Sequence, residues 1–209
     1  MAEFKSVTKA IIPVAGLGTR LLPATKALPK ELLPILDKPL IQHIVEEAVG
    51  GGIKEIIFVT RSGKESIENH FDSNFELETL LKSSGKKKIL KKFPKNTLKG
   101  ISMLSIRQEK PLGLGHAILV AKKALQKNEP FAVFLPDEFL LLKDKVTDFE
   151  RMMKDYNTTK KGQILSEKIK IENVSDYGII GFNQKGFSHS KNRDIKEIVE
   201  KPSPLKAPS

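Results

Sequence analysis

The sequence reads Ala15-Gly16-Leu17-Gly18-Thr19-Arg20 directly after the apolar run Ala10-Ile11-Ile12-Pro13-Val14. The apolar run predicts a buried strand, so the two glycines fall where a parallel strand ends and the chain turns sharply. Glycines at such a turn let backbone N–H groups approach an anionic ligand closely. Arg20 and Lys30 add two cations at different distances from the loop. The segment therefore predicts a loop that holds a triphosphate.

Other interpretations of this glycine loop fit less well. A dinucleotide-binding fingerprint needs a third glycine, whereas Gly16-Leu17-Gly18 is followed by Arg20 and Leu21. A P-loop ends in Gly-Lys-Ser or Gly-Lys-Thr, and this segment lacks that ending. A plain turn between a strand and a helix stays open, but it does not explain why Lys26 and Lys30 follow Arg20 in one basic segment.

Apolar patterning predicts an alternation of strands and helices. Strands are predicted at residues 10–14, 55–60, 101–107 and 131–135, with helices at 40–49, 66–71, 75–81 and 115–125. This order predicts an α/β fold with a Rossmann-like, mostly parallel, twisted sheet and helices on both faces. A looser pattern follows, with a helix at 146–156, strands at 164–171, 178–182 and 195–200, and a polar stretch at 185–193. These later strands predict a smaller β portion.

Asp137 is a candidate metal ligand because it directly follows a predicted strand. In an open α/β sheet, ligands gather outside the carboxyl ends of the strands. Asp137 follows the strand at 131–135, so its carboxylate should emerge at the same edge as the glycine loop. A hard oxygen ligand there could hold Mg²⁺ against a triphosphate. An Asp that only begins a turn is the alternative on the local pattern.

Composition restricts the class of protein without identifying it. With 209 residues and 39% hydrophobic content, the chain can bury one substantial core, so we expect a single domain of residues 1–209. The absence of cysteine excludes disulfides, thiolate metal sites and a cysteine nucleophile. No apolar run is long enough for a membrane helix, and no signal peptide follows the first residues, so we expect a cytoplasmic protein without a membrane partner.

The excess of basic residues raises the question of nucleic-acid binding. The formal net charge is +11, and part of it comes from a lysine-rich cluster of Lys86, Lys87, Lys88, Lys91, Lys92 and Lys95. The cluster holds a single aromatic residue, Phe93, and shows no repeated base-stacking pattern. We therefore expect no nucleic-acid partner and interpret the cluster as a solvated insertion. Anionic small substrates would tolerate the excess charge.

Longer stretches carry a family resemblance. The motifs occur in the order Ala15 to Arg20, Leu22 to Pro34, Asp37 to Gln42, Glu68 to Asp72, Phe75 to Glu78, Arg107-Gln108, Gly113 to Ala117, Leu135 to Asp137, Tyr177-Gly178 and Val199-Glu200-Lys201-Pro202. Together they closely resemble the bacterial UTP–glucose-1-phosphate uridylyltransferases (UDP-glucose pyrophosphorylases). The resemblance covers essentially the whole chain. It implies a nucleotidyltransferase, glycosyltransferase-A-like fold and a Mg²⁺-dependent reaction of UTP with α-D-glucose 1-phosphate that yields UDP-glucose and pyrophosphate.

The resemblance also implies a role for each candidate residue. The expected catalytic residues are Arg20, Lys30 and Lys201, the expected metal ligand is Asp137, the expected nucleotide-binding residues are Ala15, Gly16, Gly18, Glu31, Gln108 and Gly113, and the expected sugar-binding residues are Gly178, Glu200 and Lys201. A side-chain amide and backbone groups near a glycine can read the edge of a pyrimidine, which suits Gln108 and Gly113. We expect His116 to support that turn rather than to act as an acid or base.

This assignment leaves two alternatives and one expectation about length. A glucose-1-phosphate thymidylyltransferase differs in its choice of base by one methyl group, and a non-catalytic nucleotide-binding module could descend from the same family. Family members continue past Val199-Glu200-Lys201-Pro202, so we expect the chain to be truncated at its C-terminus. We expect residues 1–140 to form the nucleotide-binding half and residues 141–209 an incomplete sugar-binding half. Full-length relatives are expected to be homo-oligomers.

Overall fold

The computed structural model describes residues 6–94, 98–138, 146–183 and 193–209. The strands are β1 (Lys9–Pro13), β2 (Pro34–Ile35), β3 (Lys38–Pro39), β4 (Glu55–Thr60), β5 (Ser102–Arg107), β6 (Phe131–Val133), β7 (Gly178–Phe182) and β8 (Ile195–Glu200). The α-helices within the described ranges are α1 (Leu40–Gly50), α2 (Glu65–Phe71), α3 (Phe75–Ser83), α4 (Lys87–Leu90), α5 (Leu114–Ala121) and α6 (Asp148–Thr159). Short 3₁₀ helices include Thr19–Leu21, Ala24–Lys26, Lys30–Leu32 and Ile171–Asp176.

Four parallel strands form the central sheet, in the order β5-β4-β1-β6. Counted along the chain, this is the order 3-2-1-4 of a doubly wound fold, in which connections leave in opposite directions on either side of one crevice. That crevice lies at the carboxyl ends of β1 and β6. The register pairs Lys9 with Phe131 and Ile11 with Val133, so the segments after the two strands emerge at the same edge. The predicted parallel α/β sheet is confirmed.

Helices cover both faces of this sheet, as the sequence predicts. On one face, Ile12 and Phe58 belong to a buried cluster with residues of α1, α2 and α6. On the other face, Ile11 and Ile57 pack with α5 at Ala117. Successive residues of a strand point to opposite faces, so β1 and β4 need apolar residues at consecutive positions rather than at alternate ones. Both strands show this continuous burial.

Two predicted strands differ from the structure. β6 ends at Val133, two residues before Leu135, although the Phe134 N–H still donates to the Ile11 carbonyl at 3.0 Å. The strand predicted at 164–171 is wrong, because residues 164–170 pair with no strand of the described chain and a 3₁₀ helix begins at Ile171. Ile164 is 55% exposed, so this apolar side chain lacks the neighbouring side chains against which a β-strand packs.

The lysine-rich cluster lies on α4 and in the turns around it. Its described lysines, at 86, 87, 88, 91 and 92, are exposed, as expected for a solvated insertion, and Lys92 Nζ lies 2.6 Å from Asp37 Oδ2. Lys95 lies outside the described residues. Among the described residues, no helix is long and apolar enough to cross a membrane.

The chain divides into two compact units, Met1–Gln163 and Ile164–Ser209. The division predicted between residues 140 and 141 falls outside the described residues, as does most of the polar stretch predicted at 185–193. The first unit contains the parallel sheet. In the second unit, β7 and β8 form an antiparallel pair whose register places Gly178 opposite Glu200, with an irregularity between Gly181 and Phe182.

Candidate active site

The glycine loop is held in place at both of its ends. The Val14 N–H donates to the Val59 carbonyl at 2.8 Å, so the loop leaves β1 beside the end of β4. Gly18 has φ of +69°, and a Cβ there would lie 3.3 Å from the Cβ atoms of Thr25 and Lys30. Thr25 Oγ1 also donates to the Gly18 carbonyl at 2.7 Å. Both the left-handed backbone and the close approach therefore favour glycine.

The structure brings the predicted phosphate-binding cation and the predicted metal ligand into contact. Lys30 Nζ lies 2.9 Å from Asp137 Oδ2, across the crevice between the segments that follow β1 and β6. Burial alone would raise the pKa of Asp137, but the hydrogen bond from Lys30 and the charges of Lys30 and Arg20 outweigh it and lower that pKa. Three candidate residues, Arg20, Lys30 and Asp137, thus share one electrostatic environment, in which the carboxylate stays ionised.

The donor set around Asp137 suits a divalent cation that arrives with phosphate groups. Asp137 is 58% exposed in its side chain, so its oxygens are accessible. Glu138 follows it, and burial together with the charge of Asp137 raises the pKa of Glu138. The described residues contain no group of three or more His, Cys, Asp or Glu side chains that could hold a metal ion. Mg²⁺ is commonly held by one or two carboxylates with substrate phosphates and water, which fits a single accessible Asp.

Gln108 occupies a buried position at the end of β5. Its N–H donates to the Thr60 carbonyl at 2.8 Å, and only 6% of the residue is exposed. Its amide nitrogen Nε2 lies 2.9 Å from His116 Nδ1 and donates to the Gly113 carbonyl at 3.3 Å. With Nδ1 as the acceptor, His116 orients the amide of Gln108. Gly113 itself has φ of +91° directly before α5, so the predicted pair of Gln108 and Gly113 forms one turn.

Glu31 and Lys64 form a buried ion pair that the sequence did not reveal. Glu31 is fully buried, and Lys64 Nζ donates to Glu31 Oε2 at 2.6 Å. Lys64 follows β4 and precedes α2, at the carboxyl edge of the sheet. The available signal was that position, a lysine in the turn after a buried strand, but nothing in the sequence links it to Glu31. The remaining nucleotide-side candidates, Ala15 and Gly16, lie in the glycine loop.

The three predicted sugar-side residues lie together in the second unit. Glu200 Oε2 lies 3.2 Å from the position that a Cβ on Gly178 would occupy, so a larger residue at 178 would crowd that carboxylate. Lys201 has φ of +46°, and its N–H donates to the Tyr177 carbonyl at 3.0 Å. The hairpin therefore presents Gly178, Glu200 and Lys201 from one end, and all three residues are exposed.

The fold is a doubly wound sheet with a glycine loop, two cations and an acidic residue at its crevice, which is typical of enzymes that bind nucleotides. The family model for nucleotidyl transferases matches residues 9–209. The UTP–glucose-1-phosphate uridylyltransferase of Haemophilus ducreyi is 47% identical over 204 residues, which are 96% of this chain and 69% of that protein. The enzyme of the same name from Streptococcus pyogenes is 49% identical over 205 residues, which are 97% of this chain and 66% of that protein.

A solved structure agrees with these relatives. The UTP-bound UGPase from Acinetobacter baumannii matches with a TM-score of 0.90 and 43% identity, over 97% of this chain and 70% of that one. The chain belongs to the nucleotidyl transferase family, and within it to the UTP–glucose-1-phosphate uridylyltransferases. This confirms the resemblance found in the sequence. The chain spans about two thirds of the length of these relatives, 69% of the Haemophilus protein and 66% of the Streptococcus protein.

Proposed function

We propose that this chain transfers a uridylyl group from UTP to α-D-glucose 1-phosphate, which forms UDP-glucose and releases pyrophosphate. The observation that carries the proposal is the contact between Lys30 and Asp137 at 2.9 Å, beside the glycine loop and at the crevice of the sheet. This is where a doubly wound fold binds nucleotides. Relatives that are 47% and 49% identical bear the name of this activity.

The chemistry requires no nucleophile from the protein. A phosphate oxygen of glucose 1-phosphate is already an anion, and it attacks the α-phosphorus of UTP in line with the departing pyrophosphate. One P–O bond forms to the sugar phosphate, and the bond between the α-phosphorus and the pyrophosphate oxygen breaks. Catalysis then depends on positioning and on neutralisation of phosphate charge. The absence of cysteine agrees with such a mechanism.

Arg20 and Lys30 supply the positive charge on the nucleotide side. Arg20 can bind phosphate oxygens with two parallel hydrogen bonds, whereas Lys30 acts as a point charge. In the proposal these side chains hold the β- and γ-phosphates and stabilise the charge of the leaving pyrophosphate. Asp137 would hold Mg²⁺, which when bound neutralises phosphate charge and orients the triphosphate. The exposed carboxylate of Asp137 supports that role.

The remaining candidates divide between base and sugar. Gln108 and Gly113, with the loop residues Ala15 and Gly16, would surround uracil and ribose. The Gln108 amide is buried and oriented, so it can distinguish hydrogen-bond donors from acceptors on a base edge. On the sugar side, Lys201 would contact the sugar phosphate and the α-phosphate. Glu200 and the backbone at Gly178 would bind glucose hydroxyls.

The proposal includes a cytoplasmic location, where nucleoside triphosphates are available, and homo-oligomers for the full-length relatives. It includes no nucleic-acid partner. The solvated lysines around α4 support the last point, because Phe93 is the single aromatic residue of the lysine-rich cluster and no repeated base-stacking pattern occurs there. Sedimentation of the purified chain, with and without UTP, measures the assembly state directly.

A turnover assay tests the function. The purified chain is incubated with UTP, glucose 1-phosphate and Mg²⁺, and UDP-glucose and pyrophosphate are measured together. We expect equal amounts of the two products, and loss of both when EDTA is added or glucose 1-phosphate is left out. Replacement of UTP by dTTP tests the thymidylyltransferase alternative, for which faster turnover with dTTP is required. Binding of UTP by calorimetry without any turnover would instead indicate the non-catalytic module.

A further inference from the structure

The buried pair of Lys64 and Glu31 lies next to the residues of the proposed chemistry. Glu31 is among the residues expected to bind the nucleotide, yet its carboxylate is fully buried against Lys64. Lys64 is 6% exposed and Glu31 is fully buried, and their charged atoms lie 2.6 Å apart. Burying two charges is costly, and an apolar pair of similar volume often stabilises a fold at least as well. A buried ion pair is therefore weak evidence for a purely stabilising role. Its more specific property is that it holds two segments in one geometry.

The two segments joined by this pair both border the crevice. Lys64 follows Gly63, whose φ is +84°, in the turn between β4 and α2. Glu31 is the middle residue of the 3₁₀ turn Lys30–Leu32, which two backbone hydrogen bonds close, from Leu32 to Pro29 and from Leu33 to Lys30. In this turn the Glu31 side chain is buried against Lys64, while the Lys30 side chain reaches Asp137. One short turn therefore carries both the buried contact to Lys64 and the contact of Lys30 with Asp137.

Glu31 depends on Lys64 for its anchoring. Its second carboxylate oxygen, Oε1, is buried and has no hydrogen-bond partner in the described part of the chain. The side chain of Lys64 makes one hydrogen bond there, to Oε2. A carboxylate held by a single charged donor loses its orientation when that donor is removed. The turn that carries Lys30 would then lose the contact that fixes it from the core side.

We propose that Lys64 is a positioning residue of the nucleotidyl transfer site, which acts through Glu31 to hold Lys30 where it meets the triphosphate. The proposal rests on the proposed function. It makes Lys64 necessary for triphosphate affinity and turnover although Lys64 does not touch the substrate. It also predicts that the effect of Lys64 passes through Lys30.

The test combines Lys64→Met with a matched control. Lys9→Met removes another largely buried lysine, which pairs with Glu55 and Glu129 at the amino ends of the strands, far along the sheet from the crevice. Both variants should lower the Tm. Lys64→Met should in addition weaken UTP binding about tenfold by calorimetry and lower kcat/KM about 100-fold. Lys9→Met should leave the UTP affinity within about twofold of the unsubstituted chain, because additive effects are expected at distant sites.

A double-mutant cycle decides whether Lys64 acts through Lys30. In the Lys30→Ala background, Lys64→Met should cause no further loss of UTP affinity, because the group that it positions is already absent. An equal loss in both backgrounds would overturn the proposal, as would a Lys64→Met chain with unchanged UTP affinity. If Lys64→Met does not fold, the pair Glu31→Gln with Lys64→Met removes both buried charges and enters the same cycle. Failure of the unsubstituted chain to bind UTP would overturn the proposed function as well, whereas the other outcomes concern Lys64 alone.

Discussion

β4 and β8 are both six-residue strands rich in β-branched residues, but their surroundings differ. β4 lies between β5 and β1, and five of its six residues are buried. Among the described residues, β8 pairs only with β7, and five of its six residues are exposed. A strand with neighbours on both edges and helices on both faces is held by its core, whereas a hairpin strand is held mainly by its backbone ladder. The two strands therefore have similar strand propensities, but they differ in how their side chains are packed.

The difference matters for the two sets of site residues. The phosphate-side residues stand at the carboxyl edge of a packed sheet, so the core of the first unit determines their geometry. The sugar-side residues Glu200 and Lys201 stand at the end of a hairpin, where the Lys201 N–H donates to the Tyr177 carbonyl and Glu200 pairs with Gly178. Four experiments test this contrast, from the largest expected effect to the smallest.

Asp137→Asn should separate activity from stability in the first unit. The change removes the charge of the proposed metal ligand but almost no volume, and the side chain is 58% exposed. We expect turnover to fall by at least about 10³-fold while the Tm stays nearly constant. Pyrophosphate release and a thermal melt on the same preparation measure both quantities. Near-normal activity at saturating Mg²⁺ would contradict the assignment of Asp137.

Ile57→Ala and Ile198→Ala compare the two strands directly. Ile57 is fully buried in β4, and Ile198 is 54% exposed in β8. The β4 substitution should lower the free energy of unfolding by about 2–5 kcal/mol, because it leaves a cavity. The β8 substitution should change it by less than about 0.5 kcal/mol. Urea unfolding followed by circular dichroism gives both values, and equal losses would show that the contrast between the strands is not energetic.

Lys201→Ala should impair the sugar side without affecting nucleotide binding. We expect kcat to fall about 100-fold, because a charge on the reacting phosphates is lost, while the UTP affinity from calorimetry is unchanged. Lys196→Ala is the matched control, since it removes an exposed lysine from β8, the strand that Lys201 directly follows. A weaker UTP affinity for Lys201→Ala alone would mean that the hairpin contributes to nucleotide binding.

His70→Gln concerns a smaller, pH-dependent effect in the first unit. Burial lowers the pKa of His70, whose Nε2 lies 3.0 Å from Gln42 Oε1. The unfolded chain then binds more protons than the folded chain below the ordinary histidine pKa, so stability should fall as the pH drops through that range. We expect the variant to lose this part of the pH dependence. Urea midpoints at pH values on either side of about 6.5 measure it.

Burial raises the pKa of Glu47 and of Glu138, so the folded chain binds their protons more strongly than the unfolded chain does. At lower pH these two groups therefore increase stability as the pH drops, which is opposite to the effect of His70. Comparison of His70→Gln with the unsubstituted chain at each pH cancels these shared contributions. An identical pH profile for the two chains would show that His70 does not contribute to stability in this range.

The sequence by itself determined the strand at Glu55–Thr60 and the alternation that makes a parallel sheet, because fully buried strands are continuous apolar runs. It also predicted that Asp137 and the glycine loop share an edge, since ligands gather at the carboxyl ends of parallel strands. The prediction of a strand at residues 164–171 was wrong because a strand-like pattern does not by itself supply a pairing partner. These residues have the pattern of a strand, but pairing depends on a neighbour that local sequence does not specify.

Only the tertiary structure decided which side chains meet. Lys30 and Asp137 are 107 residues apart in the chain, and Glu31 and Lys64 are 33 apart, so no local pattern fixes either distance. The register of β1 with β6 brings the first pair together, and the burial of Glu31 within the turn at Lys30–Leu32 places its carboxylate against Lys64. Hydrophobic periodicity determines which face of an element is buried, whereas contacts between charged groups depend on how separate elements pack.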